Sequence, residues 1–174
     1  NQLLDRETAL LNVHFPMNSD VLRKAIHRVK FEELFLIQLE LLKLKLVNLE
    51  KSTGFVFGEV GQYFTSFYEQ KLPFELTGAQ KRVLKEIRRD LKRGKQMNRL
   101  LQGDVGSGKT IVALMTILMA LDNGFQAALM APTEILATQH YDGIKELLEG
   151  LGIEVKLLTG SVKTAKRREI HEKL

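Results

Sequence analysis

Two rhythms of apolar and polar positions divide the chain. From Asp5 to Ser52 the spacing is helical. Asp5 to Val13 predicts a first helix, Pro16 interrupts it, and Asn18, Ser19 and Asp20 form an N-cap cluster ahead of a long run with Leu22, Ala25, Ile26 and Val29 on one stripe. From Leu34 to Leu49 the run is apolar around most of its circumference, which predicts burial against another element. No glycine or proline intervenes before Lys51, Ser52, Thr53 and Gly54, so a single long helix is expected to stop there.

Residues 54–72 are aromatic and irregular, with Phe55, Phe57, Tyr63, Phe64, Phe67 and Tyr68 among bend-permitting glycines. They read as a linker that docks on the domain C-terminal to it. After Pro73, helices alternate with short apolar runs. A basic helix from Thr77 to Leu91 leads to a strand at Arg99–Gln102, a glycine-rich turn, and a helix from Lys109 to Leu121 that stops at Asn123 and Gly124. A strand at Gln126–Ala131, a helix from Glu134 to Leu148, a strand at Glu154–Leu158 and a helix opening near Ser161 complete the pattern. Such βαβαβα order predicts an α/β fold, a parallel sheet with helices on both faces. The expected organisation is a helical connector over 1–53, an aromatic linker over 54–72, and an incomplete α/β domain over 73–174.

Gly103, Asp104, Val105, Gly106, Ser107, Gly108, Lys109 and Thr110 spell the phosphate-binding pattern G-x-x-x-x-G-K-T between an apolar strand and an amphipathic helix, the context this motif requires. Gly106 and Gly108 allow the backbone to curl so that successive N–H groups face one anion, and the helix N-terminus adds positive potential. Lys109 is expected to reach the β- and γ-phosphates, and the Thr110 hydroxyl to ligate the Mg2+ that bridges them. These two are the candidate catalytic residues, and ATP with Mg2+ the expected cofactors. The motif alone defines only a P-loop nucleotide-binding class.

Composition bounds the partners. Hydrophobic residues at 44% and charged residues at 27% predict a packed core. No cysteine is present, so neither a disulfide framework nor a thiolate zinc site can form, which fits a reducing, cytoplasmic setting. The most apolar stretch carries Gln38, Glu40, Lys43, Lys45 and Asn48, and no membrane span is expected. Four histidines without metal-ligand spacing support no further metal site. The net charge of +5 conceals a local excess: Lys81 to Arg99 holds nine basic residues against Glu86 and Asp90. That stripe fits either a polyanion partner or a solvated helix face beside a phosphate site.

Reading outward from the loop, Pro73-Phe74-Glu75-Leu76-Thr77-Gly78-Ala79-Gln80, Gln96 to Gln102, Ala131-Pro132-Thr133-Glu134-Ile135-Leu136-Ala137-Thr138-Gln139-His140 and Leu158-Thr159-Gly160-Ser161 resemble the first motor lobe of the RecG family of superfamily 2 DNA helicases. His14-Phe15-Pro16 and Phe31-Glu32-Glu33-Leu34-Phe35 resemble that family's connector between wedge and motor. The resemblance implies a RecA-like lobe. It also implies a bacterial, cytoplasmic ATP-dependent helicase that remodels branched or duplex DNA, such as forks and Holliday junctions, in repair and recombination.

By the same resemblance, Gln80 reads the adenine edge and Phe74 stacks on the base. A cap of its own helix is the alternative for Gln80, and plain packing for Phe74. Pro132, Thr133 and Glu134, with Thr159, Gly160 and Ser161, resemble the family's two DNA-backbone motifs. Small hydroxyls and amides at helix starts suit phosphate, although Thr133 can also simply cap its helix. No sequence feature points to a protein partner.

No acidic pair follows an apolar strand after Lys109, and no arginine finger is recognisable. The chain is therefore expected to be a piece that begins at a truncation point, Asn1, and does not hydrolyse ATP at a useful rate by itself. The competing readings are a P-loop ATPase that does not act on nucleic acid, and a non-catalytic nucleotide- or DNA-binding module.

Overall fold

The computed structural model describes residues 3–51 and 53–173. Asn1, Ser52 and Leu174, which figure in the predicted start, helix stop and chain end, lie outside the described residues. The chain divides into two compact units, Asn1–Ser52 and Thr53–Leu174.

The first unit is a helical pair. In α1 (Arg6–His14) the Asp5 carboxylate accepts from Thr8 N at 2.9 Å, and Phe15 N closes the last turn on the Leu11 carbonyl. The buried Asn12 holds the turn beyond the helix: its Nδ2 donates to the Thr8 carbonyl and its Oδ1 accepts from Met17 N. Asn18 then caps α2 (Ser19–Lys51), accepting from Asp20 N at 3.0 Å and Val21 N at 2.9 Å. Arg28 ties α2 to the segment before α1 through the Leu4 carbonyl, and Glu32, its neighbour one turn on, also faces Arg6 of α1 at 3.8 Å.

The sequence predicted that the second half of α2 would be buried, and in the structure it is not. Leu34, Leu44 and Leu46 stand about 60% exposed. The reason is length. α1 has nine residues and α2 thirty-three, so a rod of about 14 Å lies along one of about 50 Å and can cover only its beginning.

In the second unit, α3 (Gln62–Ser66) runs into a π-helical turn (Phe67–Lys71), so the aromatic linker is partly helical. It is followed by α4 (Gly78–Leu91), α5 (Lys109–Asp122), α6 (Glu134–Leu147) and α7 (Thr164–Glu172). α5 is the central element, with Ile111, Val112, Leu114, Met115, Leu118 and Met119 all buried. Around it pack Phe67, Leu76, Leu84, Ile87, Ile144 and Leu148. Asp122, at the C-terminal end of α5, accepts from the backbone N–H groups of Gly61, Tyr63 and Phe64, which caps α3 across the core. Phe55 and Phe57 pack on Phe125, with ring centroids 4.7 and 4.9 Å away.

Among the described residues no strand forms, so the predicted parallel sheet is not shown. No backbone hydrogen bond outside the helices involves 99–102, 126–131 or 154–158. Parallel strands need bonded neighbours and cover on both faces, whereas Leu100 is 82% and Met130 92% exposed. The last of the three segments keeps the two-residue period of a strand. Ile153 and Val155 turn to the core while Glu154 and Lys156 face solvent.

Candidate functional site

The glycine-rich loop between residues 103 and 108 carries two left-handed residues, Gly106 and Gly108, both with φ +79°. A side chain would strain either position. Ser107 N closes a tight turn on the Asp104 carbonyl at 3.2 Å, and Gly108 becomes the N-cap of α5 without a capping side chain. Lys109 folds back across the loop, its Nζ donating to the carbonyls of Gly103 at 2.8 Å and Asp104 at 2.7 Å. The ammonium therefore sits at the head of α5, where the first-turn amides add positive potential. Thr110 is exposed beside it, and Val105 is fully exposed at the loop tip.

Gln80 is buried, and both ends of its amide have partners within the protein. Oε1 accepts from Thr77 N at 2.8 Å while Gln80 N donates to Thr77 Oγ1, a reciprocal capping box at the start of α4. Nε2 donates to the Ser107 carbonyl at 2.9 Å. The cap expected as the alternative reading of this residue is present, and the same side chain ties α4 to the loop. Phe74 is half exposed and has no aromatic neighbour among the described residues.

A second cluster gathers the other candidates. Thr133 Oγ1 accepts from Leu136 N and so caps α6. Glu134, the first residue of that helix, accepts from the Ser161 hydroxyl, and Thr159 Oγ1 lies 3.0 Å from Ser161 Oγ. Ser161 has one proton and spends it on the carboxylate, so the Thr159 hydroxyl is the donor to Ser161. Arg167 of α7 donates to the Thr159 carbonyl at 2.8 Å. α7 opens at Thr164, shortly after Ser161, following an N-cap Lys163 that has no side-chain cap. No hydrogen bond among the described residues joins this cluster to the glycine-rich loop.

Sequence reasoning missed three supporting residues. Arg99, counted in the basic stripe, is spent on both acids of α4, reaching Asp90 through Nε and Glu86 through Nη1 at 2.9 Å. Its guanidinium holds the Asp90 carboxyl below the usual aspartate range. The spacing of Glu86 and Asp90, one turn apart on a basic helix, was the available signal. Asp122 acts on backbone groups some sixty positions away and Arg167 on a carbonyl eight positions before it, and no local pattern announces either. Among the described residues no group of acids and histidines is arranged to hold a metal ion, and no helix is long and apolar enough to cross a membrane.

Comparison with known proteins gives this geometry a family. Residues 77–174 match the DEAD/DEAH box helicases. The ATP-dependent DNA helicase RecG of Synechocystis is 48% identical over 99% of this chain, and that of Streptococcus pneumoniae 45% over 98%. A solved structure of RecG bound to a three-way DNA junction superposes on the whole chain with a TM-score of 0.84 at 42% identity, using 24% of that protein. The chain spans 21% and 25% of the lengths of the two relatives. With the motif match, the identities and the shared fold in agreement, this chain belongs to the DEAD/DEAH box helicases, and its likeness to RecG runs from end to end.

Proposed function

We propose that the chain is the ATP-gripping first part of a motor lobe in an ATP-dependent DNA helicase that remodels branched DNA. The observation that carries this reading is the loop itself: two left-handed glycines, an uncapped helix start, and the Lys109 ammonium folded over the loop. Residues 103–110 fit a triphosphate, since they offer small-residue backbone, an ammonium and a hydroxyl at one helix end. Mg2+, when bound with ATP, would neutralise phosphate charge, with Thr110 as its protein hydroxyl. Lys109 would anchor the outer phosphates, and Gln80, whose amide is held by Thr77 and Ser107, would join the state of the loop to α4 and would read an adenine edge only by releasing those partners. Segments 99–102, 126–131 and 154–158 would be the strands of a RecA-like sheet, a reading supported by the family match and the superposition on RecG.

The second cluster supports the DNA side of the proposal. Thr133 would meet a backbone phosphate through its hydroxyl, and Thr159, Gly160 and Ser161 through their amides, with the Thr159 and Ser161 hydroxyl protons kept inside the cluster. Glu134 carries the wrong charge for a phosphate, and its role is to hold the Ser161 hydroxyl and so keep the two segments in register. The relatives' names and the junction-bound structure support branched DNA as partner of the whole protein.

The test is Lys109→Ala, with MgATP binding followed by calorimetry and DNA binding by anisotropy on a forked duplex. ATP affinity is expected to fall at least about tenfold, the worth of one charge-assisted hydrogen bond, with thermal unfolding unchanged. If the variant binds ATP as the parent does, the nucleotide assignment is wrong.

A further inference from the structure

We infer that the outward face of α4 is a second contact surface for the phosphate backbone of duplex DNA, separate from the cluster at Thr133 and Ser161. The inference rests on the nucleic-acid function proposed for the chain and adds a surface to it. Lys81, Arg82, Lys85, Arg88, Arg89 and Lys92 are all exposed. At 100° per residue they fall within an arc of about 120°, on the side away from the buried Leu84 and Ile87. Along the axis they run for about 16 Å, the rise of about five phosphates of one DNA strand.

What separates this face from an ordinary solvated one is how its countercharges are used. The two acids of the helix, Glu86 and Asp90, flank the basic arc and are both engaged by Arg99 from beyond the helix. Arg93 shares Asp90 at 3.4 Å. Among the described residues none of the six arc residues has an ion pair. Lys81 and Lys85, Lys85 and Arg89, and Arg88 and Lys92 are like-charge neighbours one turn apart, an arrangement that destabilises a helix. The first turn holds no acid, although that end favours one. Among the described residues no ion pair offsets this repulsion, and a row of phosphates would. A contact made to phosphates carries no sequence information directly, so this one is independent of sequence.

The experiment compares the full chain with the variant Lys81→Gln, Lys85→Gln, Arg88→Gln, Lys92→Gln. Binding to a fluorescent forked duplex is measured across a salt series, with MgATP binding as the control for an intact fold, since Thr77, Gln80 and the buried face of α4 are untouched. The slope of log affinity against log salt is expected to fall by about 3 to 4, close to 0.9 for each phosphate no longer neutralised, and equally for two duplexes of unrelated sequence. A variant that keeps ATP binding and shows the parent's slope overturns the proposal, even if an acidic protein is found to bind there. A parallel Thr133→Ala, Ser161→Ala variant separates the failures. If it weakens DNA binding while the α4 variant does not, only this surface is wrong; if neither does, the DNA reading itself is wrong.

Discussion

α2 and α5 are both rich in apolar residues, and the structure treats them in opposite ways. In α5, Leu114, Met115 and Leu118 are at most 1% exposed, while in α2, Leu41, Leu42 and Leu44 are more than half exposed. Apolar content states that a helix wants cover; it does not state where the cover comes from. α5 is enclosed because the chain returns to it repeatedly, with α3, α4 and the end of α6 supplying Phe64, Leu84, Ile87, Ile144 and Leu148. α2 has only the short α1, and no second element of its own unit reaches the later turns.

The largest test of this contrast is one truncation made in each helix. Leu118→Ala is expected to lower the unfolding free energy by about 2 to 5 kcal/mol through lost transfer energy and a residual cavity. Leu41→Ala, at a side chain 54% exposed, should cost less than about 0.5 kcal/mol. Urea unfolding followed by far-ultraviolet circular dichroism reads both. Equal losses would mean that α2 is covered in solution, and the contrast would fail.

A finer test concerns how each helix begins. Gly108, which opens α5, has φ +79°, and a Cβ there would lie 2.4 Å from Gln80 Nε2. Gly108→Ala therefore combines backbone strain with displacement of the α4 tie, at about 1 to 3 kcal/mol, and should also abolish MgATP binding. Asn18→Ala, at the start of α2, removes a local cap worth about 1 kcal/mol and should leave ATP binding alone. Melting curves and calorimetry on the two variants separate a start built by tertiary contact from one built by its own side chain.

The same division explains what could be read from the residues. Helix positions followed from local signals: Asp5, Asn18, Thr77 and Thr133 cap the helices they precede. The loop from Gly103 to Thr110 was legible because its glycines must satisfy a local backbone requirement. Long-range placement was not legible. Burial of α2 was inferred from composition, yet cover depends on the rest of the chain. The strands were inferred from apolar runs, yet a ladder depends on neighbours. Gln80 was read by resemblance as an adenine contact, and its hydrogen bond to Ser107 needs two segments twenty-seven positions apart to meet. Ser161 was read as a residue near a helix start, and its bond to Glu134 needs two segments twenty-seven positions apart to meet.

The smallest effect is electrostatic and again sets a tertiary contact against a local one. Asp90 and Asp20 both have carboxyls held below their ordinary value of 3.8, the first by its hydrogen bond to Arg99, the second by those to Lys24 and Arg23. A depressed folded value means stability that is present above about pH 4 and lost as pH falls through the lower folded pKa. The partners of Asp20 lie three and four residues along the same exposed helix, a geometry that any transient helix retains, so folding gains little from it. Arg99 meets Asp90 only when the segment leading to the loop folds back on α4. Asp90→Asn should therefore flatten the fall in melting temperature between pH 5 and pH 2 by about 2 °C or less, because the pair is only partly buried. Asp20→Asn should leave that fall unchanged, and if the two variants flatten it equally, the bond that closes α4 onto the loop contributes no more than a surface pair.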